Sequence, residues 1–167
     1  MELYAIRHGI AQELGAKNEF NDQKRALTAE GRTRMREAAR GLAHLGVQLD
    51  LILTSPLVRA VETAEIVAEA MSLKKDEIRQ TQHLRPGALP DELFAEIKKH
   101  GSSSIGLVGH QPDLGDVVSR LVAGSGGLSA QLKKGGVCCV TVTETIPALR
   151  GDLAWLLTPR QLRLFGK

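Results

Sequence analysis

The stretch Leu51-Ile52-Leu53-Thr54-Ser55-Pro56-Leu57-Val58-Arg59-Ala60-Val61-Glu62-Thr63-Ala64 decides the fold class of this chain. Leu51 to Leu53 form a short apolar run, read as a buried strand. The Ser-Pro pair after it is a helix start, with Ser55 expected as N-cap and Pro56 at the first helical position. Leu57, Ala60, Val61, Ala64, Val67 and Met71 then recur at helical spacing, so the strand is predicted to run straight into an amphipathic helix.

The same pattern occurs on either side of this stretch. Leu3-Tyr4-Ala5-Ile6 stops at Arg7-His8-Gly9. After a polar, irregular segment from Ile10 to Arg25, Thr28 caps a helix carrying Met35, Ala38, Ala39, Leu42 and Leu45 as far as Gly46. Ile105-Gly106-Leu107-Val108 stops at Gly109-His110, and Pro112 opens a helix with Val117, Val118, Leu121 and Val122. Between these units a turn-rich loop, Leu84 to Pro90, precedes a helix carrying Leu93, Phe94 and Ile97 and ending near Gly101. A Gly/Ser-rich loop around Gly124 to Gly127 leads to two strands, Val137 to Thr143 and Leu153 to Thr158, joined through Pro147 and Gly151.

Strand and helix alternate and a hairpin closes the chain. That order predicts a three-layer α/β/α sandwich with a largely parallel central sheet, in one domain over 1–167, with ligands at the carboxyl ends of strands.

Composition narrows the function classes. A hydrophobic fraction of 43% supports a real core in 167 residues, while 3% aromatics supplies no stacking platform for single-stranded nucleic acid. The net charge of +3 is modest, and basic residues alternate with acids, as in Lys74-Lys75-Asp76-Glu77, so no polybasic block points to nucleic acid. Cys138 and Cys139 are neighbours in a predicted strand and point to opposite faces, which argues against a disulfide or a zinc pair and for reduced thiols in the cytoplasm. No apolar run approaches the ~18 residues of a membrane span, and no export signal is expected.

Arg7-His8-Gly9, Ser55 to Arg59 and Gly109-His110 each occupy a strand end or the helix start after it, positions that converge in an α/β sheet. Two imidazoles and two guanidiniums gathered there, beside helix N-termini near Ser55 and Gln111, would hold an anion with several oxygens. The cations disfavour imidazolium and keep His8 neutral and nucleophilic, and Gly9 gives the backbone room to turn beside a phosphate. Two arginines would repel a divalent cation, and no carboxylate cluster offsets them, so no metal is expected.

The residues also carry a family resemblance. Leu3 with Arg7-His8-Gly9, Arg25-Ala26-Leu27-Thr28-Ala29-Glu30-Gly31, Ser55-Pro56-Leu57-Val58-Arg59-Ala60 with Thr63-Ala64, Leu84 with Pro86, and Val108-Gly109-His110 follow in order from first strand to last. In this the chain resembles the histidine phosphatase superfamily, related to phosphoglycerate mutase, and within it the SixA-type phosphohistidine phosphatases. The resemblance implies a phosphoglycerate mutase-like fold, His8 as phosphorylated nucleophile, Arg7 and Arg59 on the phosphoryl oxygens, and His110 as second imidazole. It implies no metal and no organic cofactor. Arg25 lies in the SixA-like stretch before Leu-Thr and is either a substrate contact or a solvated loop charge.

Mutase-like members carry insertions that supply a carboxylic general acid, and this chain is too short for much of that. Asp91, Glu92 and Asp113 are the obvious acidic candidates, with Asp113 favoured as a helix-dipole residue. Phosphohistidine departs as neutral imidazole with little help, so the expected substrate is a phosphohistidine-bearing protein such as a phosphotransfer domain. Small phosphomonoesters are the alternative, and a non-catalytic phosphoryl-binding module is a third reading. Arg32, Arg34, Arg36 and Arg40 are read as a solvated helix face, and His44, His83 and His100 are given no catalytic role.

Overall fold

The computed structural model describes residues 1–14, 21–124 and 127–167. Residues 15–20 of the irregular segment and residues 125 and 126 of the Gly/Ser-rich loop lie outside them. The elements, in chain order, are β1 (Glu2–Arg7), α1 (Ala29–His44), β2 (Leu51–Thr54), α2 (Val58–Ala70), β3 (Ile78–Gln80), α3 (Pro90–Ile97), β4 (Ser104–Gly109), α4 (Asp113–Ala123), β5 (Val137–Glu144), β6 (Arg150–Leu157) and α5 (Pro159–Phe165).

The six strands form one sheet in the order β3-β2-β4-β1-β5-β6. The four strands from β3 to β1 are parallel, and β5 and β6 add an antiparallel hairpin at one edge, as the strand-helix alternation predicted. The fold is a three-layer α/β/α sandwich with a largely parallel central sheet.

Side chains alternate across the sheet and build two cores. Leu3, Ala5, Leu51, Leu53, Ile105, Leu107, Cys138 and Val140 pack under α3 and α4 on one face. Tyr4, Ile6, Ile52, Val108, Val137 and Cys139 pack under α1, α2 and Leu162 of α5 on the other. The two cysteines are free and buried on opposite faces, as their adjacency required.

Two glycines fix how the loop after β1 meets its neighbours. A Cβ on Gly31 would lie 2.1 Å from the carbonyl oxygen of Ile10, so the first turn of α1 backs directly onto that loop. Gly135, at φ +79°, adopts a left-handed conformation and sends its N–H to the carbonyls of Arg7 (3.0 Å) and His8 (3.1 Å).

Thr28 caps α1 as expected, its hydroxyl accepting from Gly31 N. The start of α2 differs. The helix begins at Val58 with Leu57 as its N-cap, and Ser55, expected in that role, turns its hydroxyl to His110 instead. The sequence reading also omitted β3 and α5.

Candidate active site

Parallel packing of β2, β4 and β1 brings the three predicted clusters to one end of the sheet. Arg7 at the end of β1 is in register with Gly109 at the end of β4, and Thr54 at the end of β2 is in register with Val108. The rings of His8 and His110, one residue beyond β1 and β4, lie 5.2 Å apart between centroids. Both histidines and Arg59 are buried, although Arg59 lies in the first turn of a helix, where arginine is ordinarily exposed.

Each group is held. His8 Nδ1 lies 2.7 Å from its neighbour's carbonyl, Gly9 O. A carbonyl only accepts, so Nδ1 carries the proton and Nε2 keeps the lone pair. Arg7 Nη1 donates to Leu132 O at 2.7 Å, which anchors it to the loop before β5. Gly9 N donates to Thr63 Oγ1 at 3.1 Å, and Thr63 Oγ1 donates in turn to Arg59 O at 2.7 Å, linking the loop after β1 to the helix that bears Arg59. Gly9 itself does not adopt a left-handed turn. A Cβ there would meet Leu27 Cδ2 at 3.3 Å, so close packing against α1 is what the glycine permits.

Three buried nitrogens have no hydrogen-bond partner among the described residues: Arg7 Nε, Arg59 Nε and His110 Nδ1. Buried polar atoms are rarely left unpaired, and two of these three are obligatory donors on cationic groups. A cluster of this composition suits a phosphoryl group, whose several oxygens accept from such donors.

The histidine phosphatase superfamily (branch 1) model matches residues 3–163. The chain belongs to the histidine phosphatase superfamily. An uncharacterized Picosynechococcus protein is 39% identical over 140 residues, covering 82% of each chain. Phosphohistidine phosphatase SixA of Escherichia coli is 24% identical over 166 residues, 98% of each. A solved structure of the protein histidine phosphatase SixA complexed with tungstate superposes with a TM-score of 0.84 at 25% identity, covering 97% of this chain and 99% of that one.

Within this member of the superfamily the fifth predicted site residue, Arg25, is not a free loop charge. Its Nε donates to Gln12 O at 2.6 Å and its Nη1 to Asp22 Oδ1 at 2.8 Å. Asp22 is the residue that sequence reasoning missed. Its Oδ2 accepts from Arg59 Nη2 at 3.0 Å and its backbone carbonyl from Arg59 Nη1 at 2.8 Å, so one residue occupies both ends of the Arg59 fork. Burial works to raise the Asp22 carboxyl, but hydrogen bonds and charge from Arg25 and Arg59 outweigh it and hold it below the usual carboxylate range. The available signal was an acid three residues before Arg25 in the same polar segment.

The acids singled out from the sequence serve elsewhere. Asp113 Oδ1 accepts from Gly87 N at 2.9 Å, Asp91 pairs with Arg120 at 2.6 Å, and Glu92 lies 3.2 Å from His83. Arg32 does not fit the solvated helix face expected for it: it donates to Leu27 O and pairs with Glu62, whose other oxygen accepts from Leu27 N. Among the described residues, no three His, Cys, Asp or Glu side chains gather as a metal-ligand set. No described helix is long and apolar enough to cross a membrane.

Burial is the main cause that lowers both imidazoles. His8 falls to about 3; the Gly9 hydrogen bond opposes the shift, and the charges of His110, Arg59 and Arg7 add to it. His110 falls to about 4, with Arg59 and Arg7 adding to burial and Asp22 opposing. Both are neutral at neutral pH.

A stability prediction follows from these shifts. Below the ordinary value of about 6.5 the unfolded chain takes up protons on both histidines, whereas the folded chain does not until near 4 and 3. The unfolded state therefore binds more protons across that window, and stability falls as pH falls, by up to about 1.4 kcal/mol per pH unit for each histidine. Urea unfolding in phosphate-free buffer between about pH 6.5 and 5, above most carboxylate titration, reads this slope, and His110→Asn should remove about half of it. A flat profile there would rule the linkage out.

Proposed function

We propose that this chain is a metal-independent phosphohistidine phosphatase that passes the phosphoryl group through His8. The observation that carries the reading is the His8 Nδ1 contact with Gly9 O at 2.7 Å, which leaves the lone pair on Nε2 of a ring that also feels the charges of Arg59 and Arg7. Nε2 attacks phosphorus in line with the leaving imidazole, which keeps the proton on its other ring nitrogen and departs neutral. Arg7, Arg59 and the His110 Nδ1 position take the equatorial oxygens, with Arg25 at the outer edge. Phospho-His8 bears its positive charge next to the Gly9 carbonyl. When water attacks phosphorus, His8 leaves as neutral imidazole with its Nδ1 proton in place, and the water's proton goes to phosphate or solvent.

Neither leaving group needs a strong general acid in this scheme. That suits a site in which Asp22, the carboxylate bonded to Arg59 and Arg25 among the described residues, is held ionised. The substrate is then a phosphohistidine-bearing protein, such as a phosphotransfer domain, and residues 1–167 act as one domain in the cytoplasm. The names of the SixA relatives support this choice.

The test compares kcat/KM of the purified protein on a phosphohistidine protein or peptide with that on p-nitrophenyl phosphate and sugar phosphates, with and without chelator. Preference for phosphohistidine, unchanged by chelator, is expected. Much faster turnover of the small esters would move the assignment to a phosphomonoesterase, and no turnover of either would leave a phosphoryl-binding module.

A further inference from the structure

Ser55 is fully buried at the end of β2, and its Oγ lies 2.8 Å from His110 Nε2. The phosphoryl-transfer scheme makes no use of it. Leu57 N–H reaches the same oxygen at 3.4 Å and can only donate, so Oγ is the acceptor there. A buried hydroxyl also has a proton of its own to place. Among the hydrogen bonds of the described residues, the one acceptor available to that proton is His110 Nε2. Nε2 is then the lone-pair nitrogen, and the neutral ring carries its proton on Nδ1, the buried nitrogen left without a partner.

We propose that Ser55 is a positioning residue that fixes His110 as the Nδ1–H tautomer, so that His110 offers the phosphoryl group a hydrogen-bond donor and not a lone pair. The proposal rests on the phosphoryl-transfer reading of the site, but the tautomer itself does not depend on the substrate. It also explains how two neutral imidazoles in one pocket do opposite things. Both carry the proton on Nδ1. Gly9 O engages that proton on His8 and leaves Nε2 to attack, whereas Ser55 covers Nε2 of His110 and leaves the Nδ1 proton to donate.

Ser55→Ala removes the hydroxyl with little change of volume. The His110 proton then distributes over both nitrogens, and in part of the population a lone pair faces the phosphoryl oxygens, as happens when a catalytic histidine loses the group that sets its tautomer. An imidazolium donates from both nitrogens whatever lies at Nε2, so the defect should shrink as pH falls. A purely structural defect would not.

Nitrogen-15 spectra of the resting protein, with His110 assigned by its loss in His110→Asn, should show a protonated Nδ1 and a hydrogen-bonded, unprotonated Nε2. The mixture should appear in Ser55→Ala. Affinity for inorganic phosphate should drop on the order of tenfold in Ser55→Ala at pH 8, narrow towards wild type at lower pH, and recover in Ser55→Thr, which restores the hydroxyl. A wild-type His110 protonated on Nε2 would overturn the proposal, as would a phosphate-binding loss that is absent or constant with pH. If the tautomer and the phosphate result hold but phosphohistidine is not hydrolysed, the substrate reading fails and the role of Ser55 stands.

Discussion

His8→Ala is expected to leave no phosphoenzyme and to lower phosphohistidine turnover by roughly four orders of magnitude or more, the scale seen when a covalent nucleophile is removed. Mixing wild type briefly with labelled phosphohistidine substrate and quenching in alkali should trap label that is alkali-stable and acid-labile, the behaviour of a phosphoramidate. His8→Ala should trap none. The substitution leaves Arg7, Arg59 and His110 in place, so phosphate binding should survive better than turnover, separating a loss in kcat from a loss in affinity. The low His8 value, about 3, adds a pH signature. The acid limb of kcat/KM, which reports the free enzyme, should lie well below the 6.5 of an ordinary imidazole. Label on any other residue, or turnover that persists in His8→Ala, would remove the nucleophile assignment.

The contrast between His8 and Asp22 shows what could be read from sequence. His8, Arg7 and His110 were legible because each ends an apolar run, and strand ends in a parallel sheet converge whatever the loops do. Arg59 was legible from its place just after the next such run. Asp22 lies in a segment with no periodicity, and its pairing with Arg59 joins residues 37 apart, which no local rule reports.

The fold divides in the same way. β1, β2 and β4 and the helices after them each have a period and a terminus signal. β3 is three residues long and largely exposed, too short for an alternation to register. α5 is only seven residues long, yet Thr158-Pro159-Arg160-Gln161 is a capping box with proline at the first turn, a signal present and passed over. Ser55 is the instructive error. Ser-Pro is a sound helix start by local preference, but the pocket uses the serine hydroxyl on His110, and the helix begins at Val58. Tertiary demand overrode the local rule at a site residue, where such conflicts are expected to fall.

Arg59→Ala should lower kcat/KM by about a hundred- to a thousandfold, the usual cost of losing a buried charged donor to a transition-state oxyanion. Two effects contribute, and Asp22 separates them. The first is the lost guanidinium, which Arg59→Lys should recover poorly because an ammonium cannot reproduce the planar fork now bonded to Asp22 O and Oδ2. The second is the carboxylate left behind. With Arg59 gone, Asp22 keeps Arg25 as its partner among the described residues and faces an incoming phosphoryl dianion with a like charge. Its side chain is 43% exposed, so solvent screens part of that repulsion and the term should be no more than about tenfold. The double variant Arg59→Ala with Asp22→Asn should therefore regain up to that factor over Arg59→Ala, measured as kcat/KM and as phosphate affinity. Asp22→Asn alone should bind inorganic phosphate more tightly than wild type, because an amide holds the Arg59 fork less firmly and lets it turn to the anion. If the double variant is no better than Arg59→Ala, and Asp22→Asn binds phosphate more weakly than wild type, Asp22 serves to hold Arg59 in place and does not compete with the phosphoryl group for it.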